Sequence, residues 1–192
     1  CKIILPSTHV VYEGLEKVKN DIREDEETKP VLAYAKSKAI NEKQLKESGK
    51  NYIILRLGSV YGYSTDTARI DIMPNLFSKI ASQDGTLKLF SGRRQVKSLV
   101  PLIDVARCFK FVEENKKFNN GIYNLTKENT TVKEVALICK KINPKLKIFL
   151  DTNDTWKKFF QKYKVEFKNI RDRLIETSNK LGISVTEYKL MV

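Results

Sequence analysis

The sequence predicts an α/β fold organised around parallel strands, and three observations carry that prediction. The stretch KIILPS, Lys2 to Ser7, is a short β-branched, apolar run ended by Pro6, which reads as a buried strand. NYIILRLGSVYG, Asn51 to Gly62, is a second run of the same kind. Between them VLAYAKSKAINEKQLKESGK is rich in strong helix formers and closes at Gly49, where a helix takes a C-terminal glycine. Strands apolar along their whole length and joined by a helix belong to a parallel sheet with a right-handed crossover.

The later segments continue the alternation. IDIMPNLFSKIASQDG reads as a helix split by Pro74, TLKLFSG as a strand, KSLVPLIDVARCFKFVEEN as a short strand running into a helix, and NGIYNLT as a strand introduced by a turn. TVKEVALICKKI is a helix capped by Thr130 or Thr131, and KLKIFLD a strand. The acidic run Glu24 to Glu27 reads as a solvated loop. Near the end, Trp156, Phe159, Phe160, Tyr163, Phe167, Ile170 and Leu174 recur at spacings of three and four, the stripe of an amphipathic helix packed on a core.

Composition narrows the class. A chain of 192 residues with 41% hydrophobic content can bury a core of ordinary domain size, which argues against disorder. Cys1, Cys108 and Cys139 are odd in number and far apart, and His9 is the one histidine, so neither a disulfide framework nor a metal site is expected. That usage fits a reducing, cytoplasmic compartment. No apolar run is long enough for a membrane span, and no signal segment opens the sequence. The net charge of +13 invites a nucleic-acid reading. However, the first thirty residues are net acidic, and beyond them lysines are interleaved with acids rather than gathered into a stripe with aromatics. A diffuse excess of this kind argues against a nucleic-acid partner.

One spacing carries chemistry. Tyr34 and Lys38, four residues apart in YAKSK, share a helix face one turn apart. The pair is weak alone, since Tyr123 and Lys127 repeat it in YNLTK. Context separates the two. Tyr34 lies on the crossover helix, and the strand before that helix ends in the hydroxyls of Ser7 and Thr8, at the carboxyl edge where such sheets place ligands.

Together these residues resemble the extended short-chain dehydrogenase/reductase family, the NAD(P)-dependent epimerases and dehydratases of nucleotide sugars. STHVVYEG is similar to the family's strand-end signature, with Thr8 four residues before Tyr12, and YAKSKAINE to its YxxxK helix. LRLGSVYG resembles the next strand and the cofactor and substrate loop after it. LFSGRRQVKSLVPLIDVARCFKFVEEN resembles the segment with a phosphate-binding Arg and an Asp-Val-Ala helix start; GIYNLT and TSNKLGI are similar to later elements. The family's glycine-rich turn for the dinucleotide pyrophosphate has no counterpart, so the chain is read as the C-terminal half of a longer enzyme.

The resemblance implies the C-terminal part of a Rossmann-like parallel sheet plus a smaller α/β substrate-binding domain. Residues 1–66 and 98–128 would form the remainder of the dinucleotide-binding domain, and 67–97 and 129–192 the substrate-binding domain. It implies Thr8, Tyr34 and Lys38 as catalytic residues, and contacts to NAD or NADP from Pro6, Ser7, Tyr34, Lys38, Leu57 and Val60. It also implies contacts to a nucleotide-sugar substrate from Thr8, His9, Ser59 and Lys97, and a homodimer through the helix that carries Tyr34. A tyrosine hydroxyl ionises near pH ~10, so general-base work at neutral pH needs a cation such as Lys38 to favour the phenolate.

Departures from the family pattern bear on the reaction. His9 and Val10 stand where dehydratases carry an Asp-Glu pair, which argues against simple 4,6-dehydration. Ser59 replaces a frequent Asn, and Lys97 a frequent Arg, keeping the charge but losing the bidentate fork. The expectation is an NAD(P)-dependent epimerase or reductase, an oxidoreductase or isomerase. A cofactor-binding member without turnover and a basic nucleic-acid-associated protein are the alternatives.

Overall fold

The computed structural model describes residues 1–15, 21–64, 69–89 and 96–150. The stripe from Trp156 to Leu174 and the TSNKLGI stretch lie outside them.

The first sheet is parallel and ordered β1 (Lys2–Thr8), β2 (Asn51–Leu57), β6 (Gly121–Leu125). A 3-10 turn, His9–Tyr12, follows β1, and helix α1 (Ala33–Glu47) makes the crossover to β2. Gly49 has φ +68°, the left-handed conformation a glycine adopts without strain just past a helix end. Pro6 does not end β1: the strand runs on to Thr8, pairing Pro6 with Leu55. Among the described residues β1 is an outer strand of its sheet, where a residue lacking N–H is tolerated. One face of this sheet packs on α3 (Leu102–Glu114), where Ile53 and Leu55 meet Val112 with Cys108 and Phe109 beside them.

The run expected as one strand from Asn51 divides at Gly58. Beyond it β3 (Ser59–Tyr61) joins a different sheet, parallel to β5 (Val96–Pro101), which pairs antiparallel with β7 (Glu128–Thr131). Helix α2 (Met73–Ser82) is not split by Pro74, which stands in its first turn, where no hydrogen bond is lost. Strands β4 (Thr86–Leu89) and β8 (Lys147–Leu150) pair in parallel. With α2 and α4 (Val132–Ile142) they enclose a second core of Phe77, Leu87, Leu89, Val135, Ala136 and Leu146. Thr131 caps α4 in a capping box with Glu134, whose carboxyl is held below its usual range by hydrogen bonds from the Thr131 backbone and side chain.

Beneath the carboxyl ends of the first sheet runs a polar row. Ser7, Arg56 and Asn124 are register partners on β1, β2 and β6. The side chains of Arg56 and Glu42 are each 3% exposed, and Nη2 donates to Oε2 at 2.7 Å. Arg56 Nε also donates to the Glu42 carboxylate at 3.1 and 3.3 Å, and Ser7 Oγ donates to Glu42 Oε1 at 2.5 Å. Arg56 Nη1 donates to the Tyr12 hydroxyl and, at 3.0 Å, to the Glu24 carbonyl. The Glu24 carboxylate in turn accepts from the Asn124 backbone at 2.8 Å, so the first residue of the acidic run is not merely solvated; it closes the row. Burial pulls the Arg56 guanidinium down, and Glu42 and Tyr12 more than offset it, leaving it above its usual value.

Two expected outcomes follow from this packing. A Cβ on Gly58 would lie 2.9 Å from the Ser98 carbonyl oxygen, backbone that cannot rotate away, so Gly58→Ala should lower stability by about 1–3 kcal/mol in chemical denaturation. Glu42→Leu would leave Arg56 charged and unpaired inside the fold, and should cost about 3–5 kcal/mol by the same measurement.

Candidate active site

Tyr34 stands in the first turn of α1, with Lys38 one turn on. Lys38 Nζ donates to the Pro6 carbonyl at 2.8 Å and lies 5.9 Å from the centre of the Tyr34 ring. The helix face carrying both therefore lies over the carboxyl end of β1. Tyr34 is 57% exposed, while Ser7 and Thr8 are buried.

The other expected residues divide into two groups. Thr8 pairs in register with Leu57, and its hydroxyl accepts from Val10 N at 3.4 Å, opening the 3-10 turn. His9 Nδ1 lies 2.9 Å from the Leu57 carbonyl; a carbonyl only accepts, so Nδ1 carries the proton and His9 ties the turn to the end of β2. Pro6, Ser7, Thr8, His9, Leu57, Tyr34 and Lys38 are thus brought together around the ends of β1 and β2. Ser59 and Val60 follow Gly58 on β3, half-buried, in register with Leu99 and Val100. Lys97 lies on β5 in register with Thr130, in the second sheet.

Two contributors went unread in the sequence. Glu42 and Arg56 form the buried pair below the site; a signal was present, since Glu42 repeats the four-residue step from Tyr34 and Lys38. Ahead of α2, the Arg69 guanidinium bonds Asp71 at 2.7 Å and is held above its usual value by that hydrogen bond and by the Asp71 charge. Asn75 in the first turn of α2 accepts from Gly62 N at 3.0 Å and donates to the Arg69 carbonyl at 2.9 Å. Among the described residues no group of three or more His, Cys, Asp or Glu could hold a metal ion. No helix among them is long and apolar enough to cross a membrane.

Comparison with known proteins bears on the fold. The fold matches the UDP-glucose 4-epimerase of Thermus thermophilus, solved with NAD, at a TM-score of 0.66 and 23% identity, covering 78% of this chain and 50% of that one. It matches the UDP-glucose 4-epimerase of Thermotoga maritima, solved with UDP-glucose, at 0.65 and 25%, covering 80% and 52%. It also matches the UDP-glucuronic acid 4-epimerase of Bacillus cereus, solved with UDP-glucuronic acid and NAD, at 0.66 and 23%, covering 78% and 48%. The chain thus spans about half the length of these structures. Among curated proteins nothing matches its sequence. A family model described as the RmlD substrate binding domain matches residues 1–144, and the chain, as its resemblance to the extended short-chain dehydrogenases/reductases implied, belongs to that family.

Proposed function

We propose that this chain carries the proton-transfer and substrate side of an NAD(P)-dependent epimerase or reductase acting on a nucleotide-linked sugar. The observation that supports it most is the placement of Lys38, 2.8 Å from the Pro6 carbonyl and 5.9 Å from the Tyr34 ring, above the strand end that carries Ser7 and Thr8. An ammonium has three donors, and the Pro6 carbonyl uses one, which leaves Lys38 able to hold a ribose diol one helical turn from Tyr34. That donor set fits the nicotinamide riboside end of a dinucleotide, with Pro6, Ser7, Leu57 and Val60 as its neighbours. Such a cofactor, when bound, supplies the acceptor and donor of hydride.

Each side chain then has a task. Thr8 orients the reacting sugar hydroxyl and Tyr34 takes its proton. His9, held through Nδ1 by the Leu57 carbonyl, presents its other ring nitrogen to the sugar. Ser59 and Lys97 contact the substrate from the β3 and β5 side, with Lys97 as a point charge for the diphosphate. The sheet of β1, β2 and β6 belongs to the cofactor domain, and α2, β4, α4 and β8 to the substrate domain. The protein acts in the cytoplasm as a dimer paired through α1.

A Tyr34→Phe variant of the intact protein should fold with a stability within about 0.5 kcal/mol of the parent, because the residue is largely exposed. Its kcat should fall by about 10²- to 10⁴-fold with dinucleotide affinity nearly unchanged. Lys38→Met should weaken dinucleotide binding as well, read by fluorescence titration. Full turnover by Tyr34→Phe on a nucleotide sugar would overturn the assignment. Sedimentation of the intact protein at micromolar concentration should show a dimer; a monomer would count against the α1 pairing.

A further inference from the structure

Helix α1 is held on its sheet in an unusual way. Its buried residues are Ala35 and Glu42 alone, whereas Tyr34 and Ile40 are more than half exposed. Ala35, with the half-buried Ala39 and Leu45, does not fix how far a helix slides or turns, because apolar contact is non-directional. What does fix it is polar: Lys38 on the Pro6 carbonyl, and Glu42 bonded at once to Ser7 on β1 and Arg56 on β2. Tyr34, Lys38 and Glu42 are spaced four residues apart along one face, so the anchor and the two site residues move together.

A buried ion pair is a poor device for stability, since desolvation of both charges offsets their attraction and apolar residues of similar volume do as well or better. Its directionality is what apolar residues cannot supply. Here the geometry is fully specified: Arg56 contacts both Glu42 oxygens, Tyr12 and the Glu24 carbonyl, and no buried side-chain polar atom among the described residues lacks a partner.

We propose that Glu42 is a positioning residue, whose bonds to Ser7 and Arg56 set the height and rotation of α1 so that Lys38 and Tyr34 stand over the end of β1. This rests on the reading of Tyr34 and Lys38 as the proton-transfer pair, and it extends the working parts of the site one helical turn inward.

The test uses two variants of the intact protein. The double variant Glu42→Leu/Arg56→Met removes both charges together, and Ser7→Ala removes the strand end of the tie while leaving the ion pair. Acylation of Lys38 by a mild amine reagent is followed by mass spectrometry against Lys46, exposed in the last turn of the same helix, beside thermal melting and steady-state kinetics. The expected result is a double variant that melts within a few degrees of the parent, with Lys38 labelling several-fold faster in both variants while Lys46 is unchanged. The kcat should fall about 10²-fold at nearly constant KM, the signature of a misplaced reacting group rather than lost binding. Unchanged Lys38 labelling in a folded variant overturns the proposal, whatever turnover does. If the double variant does not fold, Ser7→Ala decides by the same readout. A parent protein that binds no dinucleotide and turns over no nucleotide sugar would sink the functional reading alone, since the labelling still reports whether Glu42 places Lys38.

Discussion

Two opposite charges meet at 2.7 Å between α1 and β2 with 3% of each side chain exposed, and such a pair persists in a protein interior only if every further donor and acceptor around it is used. Meeting that demand draws in Ser7 from β1, Tyr12 from the turn after it, and Glu24 from the loop ahead of the helix. Asn124 on β6 joins through Tyr12 and Glu24. Three strands, a turn, a loop and a helix therefore share one hub, one residue below the carboxyl edge of the sheet. The elements that form the edge inherit their positions from it.

The second constraint is steric and acts at Gly58. The chain leaves the first sheet there, with Gly58 N donating to the Leu125 carbonyl at 2.9 Å, and passes so close to the Ser98 carbonyl that a side chain has no room. This close passage lets β3 leave the first sheet and join β5. Ser59 and Val60 are consequently separated only by Gly58 from Leu57, whose carbonyl holds His9. The junction between the two sheets and the proposed cofactor side of the site are the same few residues.

Much of this was legible in the sequence, for reasons specific to each segment. β1 and β2 announce themselves as short β-branched, apolar runs, although of the two only β2 is buried along most of its length, and α1 because its helix formers end at a glycine that takes φ +68°. β7 was not legible: ENTT is polar, and it is a strand because β5 offers it an antiparallel partner, not because of its own pattern. The break at Gly58 was hidden inside a continuous apolar run, since a glycine in a strand does not say which neighbour approaches it. In the site, the Tyr34 and Lys38 spacing could be read because helical geometry is periodic. Arg56 could not, because its role depends on a register with Ser7 and Asn124 that only the assembled sheet defines.

As proposed, α1, seated by a buried polar hub, presents Lys38 and Tyr34 to a dinucleotide and a sugar at the end of β1. A crystal structure of the intact protein with a nicotinamide dinucleotide and a nucleotide sugar tests it most directly. The account predicts Lys38 Nζ within about 3 Å of the nicotinamide ribose hydroxyls, and the Tyr34 and Thr8 hydroxyls within the same distance of one sugar oxygen. A dinucleotide bound away from the end of β1, or a Tyr34 hydroxyl turned from the sugar, would contradict it.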